Sequence, residues 1–180
     1  IGAFESNAQS GPLFEVNTIE DSSDGFCDAF VANITDCTLR EAITAANAAA
    51  GADVITLPAG TYTLALTGAG EDANATGDLD ITDDVTINGV GITSLIQAGS
   101  AGNGIDRVMQ IASGKTVTLT YIAIANGKCG GCNGGGIYNA DGAWLEIKRS
   151  TLASNSAAAR SYYYHGSSAY GAYGGAIHND

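Results

Sequence analysis

Positive charge is the scarcest property of this chain. Seven Lys and Arg residues stand against 19 Asp and Glu, a formal charge of −12, and the seven form no patch. That balance argues against nucleic acid and anionic membrane surfaces as partners, because both favour clustered cations. No run of about eighteen apolar residues is present, so no membrane insertion as a helix is expected. Prolines number two, and there is one Trp and one Met. Neither an initiating Met nor a visible signal peptide precedes Ile1, and a processed, exported product is the reading that fits. The two histidines, His165 and His178, lie in loop or repeat positions with nothing marking a nucleophile, so no Ser/His/Asp arrangement is legible.

Glycine, by contrast, is plentiful at 25 residues, and four cysteines are present. Cysteines in a lysine-poor, Ser/Thr/Asn/Gly-rich chain favour an oxidising setting, secreted or at the cell surface. The acid excess has a plain reading, a solvated surface, and a sharper one, cation binding.

The stretch Lys115–Asn139 sets a pattern for the rest. Val117 and Leu119 alternate with Thr116, Thr118 and Thr120, the period-two signature of a strand with one buried face. Ile122 and Ile124 continue it, Asn126-Gly127 turns the chain, and a glycine run ends in Gly135-Gly136-Ile137-Tyr138-Asn139. That ending returns as Gly175-Ala176-Ile177-His178-Asn179, while Leu145, Ile147 and Leu152 echo Val117, Leu119 and Ile124 at a shorter offset. The segment Ser161–Tyr173 is long enough to be the insertion that makes up the difference. Short apolar strands, Gly/Asn corners and variable loops at recurring spacing predict the coils of an all-β solenoid. At one coil per 20–30 residues, about five or six coils are expected, making a stack on the order of 25–30 Å tall.

Three regions follow. Residues 1–12 are polar and irregular and read as an N-terminal arm, free or packed on a neighbouring molecule. Residues 13–52 read as a cap: a strand at Leu13–Thr18, an acidic loop, a loop between Cys27 and Cys37, then a helix. A Cys27–Cys37 disulfide would contribute roughly 2–3 kcal/mol; zinc is the competing reading, but the spacing to Cys129 and Cys132 fits no standard pattern. Thr38-Leu39-Arg40-Glu41 is a capping box, after which Leu39, Ala42, Ile43 and Ala46 fall at helical spacing, with Gly51 as the stop. Such a helix suits the open end of a sheet stack, whose edges and core need cover. Residues 53–180 are the coils, with an open C-terminal end.

Cys37-Thr38-Leu39-Arg40-Glu41-Ala42-Ile43 resembles the signature of the CSLREAI family of secreted bacterial surface proteins, with Thr in place of the second Ser. VITLPAGTYTL, EDANATGDLDIT and GGGIYN are similar to other segments of that family. The resemblance covers most of the chain and implies a right-handed parallel β-helix with an N-terminal capping α-helix, exported and often part of a much longer surface protein. It implies no defined catalytic activity.

Four candidate sites emerge. Residues 72–83 follow the spacing of a twelve-position calcium loop, with Asp72, Asn74, Thr76, Asp80, Asp83 and the Asp78 carbonyl as oxygen ligands and Gly77 at the turn; the plainer reading is a Gly/Asp turn facing water. Cys129-Gly130-Gly131-Cys132 is a redox motif, half a zinc site or a local disulfide, and its glycine loop favours the disulfide. Tyr162, Tyr163, Tyr164, Tyr170 and Tyr173 crowd one loop and predict contact with carbohydrate or another chain, against a plain Gly/Ser insertion. Ala176, Ile177, His178 and Asn179 form the assembly end, where Asn139 and Asn179 are placed for an inward amide ladder or as exposed turn residues.

Two functions follow. One is structural: a secreted β-helix that associates head to tail with copies of itself into a filament, or stands in an adhesive surface rod, through the backbone groups of its last coil. The alternative is a calcium-dependent polysaccharide lyase or other carbohydrate-active enzyme. Only Asp106-Arg107 and Lys148-Arg149 offer basic residues near strands for that chemistry, neither with an evident supporting carboxylate cluster. Asn33-Ile34-Thr35 and Asn74-Ala75-Thr76 match glycosylation sequons.

Overall fold

The computed structural model describes residues 10–24, 27, 36–101, 103–158, 161–162, 168–169 and 173–180. Strand β1 (Ser10–Glu15) is followed by helix α1 (Leu39–Ala48). The first turn of the solenoid is β2 (Ala52–Thr56), β3 (Gly60–Leu64) and β4 (Leu79–Ile81). The second is β5 (Val85–Asn88), β6 (Ser94–Ala98) and β7 (Met109–Ile111). The third is β8 (Thr116–Thr120), β9 (Ala123–Ala125), the short β10 (Lys128–Gly130) and β11 (Ile137–Asn139). The fourth is β12 (Trp144–Lys148), β13 (Thr151–Ala153), β14 (Ser156–Ala158), the antiparallel pair β15 (Ser161–Tyr162) and β16 (Ser168–Ala169), and β17 (Ile177–Asn179).

Corresponding strands pair in parallel from turn to turn. They make one sheet in the order β1-β2-β5-β8-β12, a second in the order β3-β6-β9-β13 and a third in the order β4-β7-β11-β17. The chain is therefore an all-β parallel β-helix. Register stacks like on like. Phe14, Ile55, Ile87, Leu119 and Ile147 form one inward column, and Tyr62, Ile96, Ile124 and Leu152 a second. Leu79, Met109, Ile137 and Ile177 form the third. Alternation produces these columns: every second side chain points into the bore, where a large aliphatic side chain contributes about 1.5–3 kcal/mol on burial.

Four turns stand where five or six were expected. Turn one carries the long excursion 65–78 between β3 and β4, and in turn four residues 159–176, which hold β15 and β16, separate β14 from β17, so fewer residues are left for further coils. Four layers and β1 at about 4.8 Å spacing make a stack on the order of 20 Å tall. The first strand starts at Ser10, inside the expected arm; residues 1–9 lie outside the described residues. Strand β3 ends at Leu64, where the Asp21 carboxylate takes the next two backbone N–H groups, those of Ala65 and Leu66, at 2.6 and 3.0 Å.

Helix α1 closes the first turn. Thr38 is its N-cap: its hydroxyl accepts from the Glu41 N–H at 3.2 Å, and Glu41 Oε2 accepts from the Thr38 N–H at 2.9 Å. Leu39, Ala42, Ile43 and Ala46 are buried against the core. The helix stops at Ala48, earlier than the expected run to Ala50, because Ala49 is already extended. Cys27 pairs with Cys37 and Cys129 with Cys132, as the sequence reading favoured.

Candidate functional site

The twelve-residue loop expected to hold calcium already contains a cation, the guanidinium of Arg40. Arg40 rises from the first turn of α1 with its side chain fully buried. Nη1 donates to the Asp78 carbonyl at 3.0 Å and, more weakly, to that of Asn74 at 3.5 Å, and Nη2 donates to the Gly77 carbonyl at 2.9 Å. The Asp21 carboxylate meets Nε at 2.7 Å and Nη2 at 3.3 Å. Fork geometry matched to a carboxylate and a ring of carbonyls is what arginine supplies and a spherical ion does not.

The expected ligands are correspondingly redistributed. Asn74 turns its side chain to the helix, donating to the Arg40 carbonyl at 2.8 Å and the Thr44 hydroxyl at 2.9 Å while its oxygen accepts from the Asp80 N–H. Buried and bonded in this way, Asn74 offers no glycosylation acceptor either. Glu71, which the sequence reading passed over, accepts from the backbone N–H groups of Ala73, Ala75 and Thr76; burial raises its pKa, but these three bonds prevail and hold it low. Asp83 faces Lys115 at 2.9 Å and caps the Asp84 N–H. Asp78 faces Arg107, with Oδ2 3.0 Å from Nε in an ion-pair contact that lacks hydrogen-bond alignment. Of the expected set, only Asp72 and Asp80 share a cleft, and no group of three or more acidic, His or Cys side chains is placed to hold a metal among the described residues.

That cleft runs along the outer face of the third sheet. Asp80 on β4 and Gln110 on β7 are cross-strand neighbours, followed by Tyr138 on β11 and His178 on β17. Gln110 Nε2 donates to Asp72 Oδ1 at 2.7 Å, which brings Asp72, Asp80 and Gln110 together, with Thr82 and Ser113 also lining the cleft. Asp80 is 2% exposed; Oδ2 accepts from the Asn74 N–H at 3.0 Å, and Oδ1 has no partner among the described residues. Burial pushes its carboxyl up to about 6, the Asn74 amide pulling against that and Glu71 and Asp72 adding to it.

Beside the cleft, the expectation that Asp106-Arg107 lacks supporting carboxylates is corrected. Asp78 and Asp106 are both buried and lie close enough to interact, and neither Oδ2 meets an N–H donor among the described residues. Burial pushes Asp78 up to about 7, opposed by Arg107 and reinforced by Asp106 and Asp80. Asp106 is raised by burial as well. The Arg107 guanidinium lies 5.3 Å over the Tyr138 ring, Tyr138 stacks on His178 at 5.7 Å, and Tyr173 stacks on His178 at 6.2 Å. Asp180 accepts from the Tyr138 hydroxyl at 2.8 Å and stands 3.3 Å from His178 Nε2. Lys148 and Arg149 sit elsewhere, Lys148 against Glu146 and Arg149 over the Tyr121 ring at a corner of the coil.

Among the expected tyrosines, Tyr173 is exposed and belongs to this stack, and Tyr162 lies in β15. Tyr163, Tyr164 and Tyr170 lie outside the described residues. Asn139 donates to Asn179 Oδ1 at 2.6 Å, the inward amide ladder of the sequence reading. Ile177 meets the core as a half-buried side chain, while Ala176 and Asn179 are exposed. Gln110 and Tyr138 were missed, although the matching triplets Leu79-Asp80-Ile81 and Met109-Gln110-Ile111 carry the register that aligns them.

Comparison with family models, curated proteins and solved structures finds no match to this chain. No helix among the described residues is long and apolar enough to cross a membrane.

Proposed function

We propose that the chain is a rod-forming segment of an exported surface protein of the CSLREAI type, and that it works by stacking a further β layer on its fourth turn. The supporting observation is a burial gradient. Ile87, Ile96, Met109, Leu119 and Ile137 in turns two and three are fully buried, whereas Leu145, Ile147, Leu152 and Ile177 in turn four are only partly so. On the outer side of β12, β13 and β17 no strand pairs with them among the described residues. Unpaired backbone groups and half-covered aliphatic side chains in one plane are what another layer satisfies.

The opposite end is closed. Beyond the buried stripe of α1, Asn47 donates to the Asp80 carbonyl at 2.8 Å and accepts from the Thr82 N–H at 2.8 Å, so backbone groups of turn one bond to the cap. Stacking of a further layer therefore runs from turn four, and another copy of the chain is the occupant this reading puts to the test. A copy that joins head to tail would meet the cap-side strand edges, those of β1 and β3 among them.

Sedimentation velocity over a range of concentrations, with electron microscopy of the same samples, tests this. The chain should form rods or discrete oligomers as concentration rises, and Leu152→Asp, which places charge in the contact plane, should abolish them without loss of the β circular dichroism signal. A chain that stays monomeric at high concentration contradicts the proposal.

A further inference from the structure

The outer-face cleft poses a problem of its own. Asp80 Oδ1 is a buried carboxylate oxygen with no donor among the described residues, and Asp72 adds a second carboxylate to the lining of the same cleft. Leaving a buried charge without a partner is costly, and burial normally goes with a donor or a cation. The nearest protein cations are already engaged: Arg40 with Asp21 and the loop carbonyls, Arg107 with Asp78 and the Tyr138 face, Lys115 with Asp83.

We propose that Ca²⁺ binds in this cleft, held by the carboxylates of Asp72 and Asp80 with the Gln110 amide oxygen and the Thr82 hydroxyl, water completing the shell. These residues come from the loop before β4, from β4 itself and its edge, and from β7 in the next turn. The site is thus built across two turns of the solenoid and differs from a contiguous loop of residues 72–83. Gln110 already donates its amide N–H to Asp72, which leaves its oxygen as an acceptor beside Asp80. Hard oxygen donors of mixed type suit Ca²⁺, which takes six to eight at flexible geometry; Mg²⁺ demands a tight octahedron and gives up its water reluctantly. With only two carboxylates, the affinity belongs to the weak class of extracellular calcium modules, about 10⁻⁴–10⁻³ M.

Calorimetric titration of the intact chain with CaCl₂, and thermal melts in the same series, read this directly. Binding in the range above and a rise in melting temperature with Ca²⁺, with a much smaller response to Mg²⁺, is the expected result. Asp72→Asn, at an exposed position, and Gln110→Ala should each weaken Ca²⁺ binding about tenfold or more while leaving the metal-free melt unchanged. Asp83→Asn, at a position outside the cleft, should bind as the wild type does. Absence of heat and melting shift up to about 10 mM Ca²⁺, well above the weakest expected affinity, overturns the proposal. So does an unaltered affinity in Asp72→Asn, or a loss in Asp83→Asn, which would restore the contiguous loop. The outcome is independent of self-association, because Leu152→Asp should bind Ca²⁺ normally.

Discussion

Arg40 links three parts of the chain through one side chain: the helix that carries it, the acidic segment through Asp21, and the excursion of turn one through three carbonyls. Truncating one partner of a buried, hydrogen-bonded ion pair leaves the other charge uncompensated, at a cost of about 3–5 kcal/mol. Arg40→Met should therefore lower the unfolding free energy by that order in urea titrations, more than Asp21→Asn, which removes charge but keeps a polar partner. Asp53 presents the opposite case. It points into the bore below Gly11 of β1, is 1% exposed, and neither oxygen has a partner among the described residues. Burial, with Asp83 nearby, pushes its carboxyl up to about 6. Since the folded value lies above the ordinary one near 4, the folded protein holds a proton that the unfolded chain releases. The stability this contributes is full below about pH 4 and is lost as pH rises through about 6. Unfolding free energy should fall over that window, and Asp53→Asn should flatten the profile and be the more stable form at pH 8, by on the order of 2 kcal/mol. Equal slopes for the two proteins would contradict this.

Elements fit together here through backbone contact as much as through side chains. Gly135, just before β11, packs so closely on turn four that an added Cβ would come within 2.2 Å of the Ser156 carbonyl and 2.6 Å of that of Gly175. Gly130, in the neighbouring β10, has nothing within 4 Å of that position. Gly135→Ala should cost about 2 kcal/mol or more through overpacking, and Gly130→Ala less than about 0.5 kcal/mol; thermal melts of the pair separate them. The strands and their order were legible because alternation and Gly/Asn corners are local signals: Val117, Leu119, Ile124 and their echoes in turn four pair in the register that the repeat offset implied. The capping helix was legible for the same reason, through Thr38 and Glu41. What was not legible depends on contacts across turns. The loop at 72–83 has calcium spacing, yet Arg40, more than thirty residues earlier, fills it. The cleft was hidden because Asp80 and Gln110 become neighbours only once turns one and two are stacked. The coil count was too high because excursions such as 65–78 lengthen a turn without adding a layer.

The described residues form a short column of four turns with the cap of α1 and β1 over the first. At the head, α1 and β1 cover the core. Turn four has the same inward column positions as the turns beneath it, but its side chains there are only partly buried. A solenoid behaves as a stack of layers coupled to nearest neighbours, so protection of backbone amides should be greatest in turns two and three and fall toward turn four. Partial burial of Leu145, Ile147, Leu152 and Ile177 is also where the account of assembly rests. Hydrogen–deuterium exchange of β12, β13 and β17, followed as protein concentration is raised, tests that account most directly. The amides of these three strands should slow toward the protection of β8, β9 and β11 as copies stack on the fourth turn; exchange in turn four that stays fast at every concentration would contradict it.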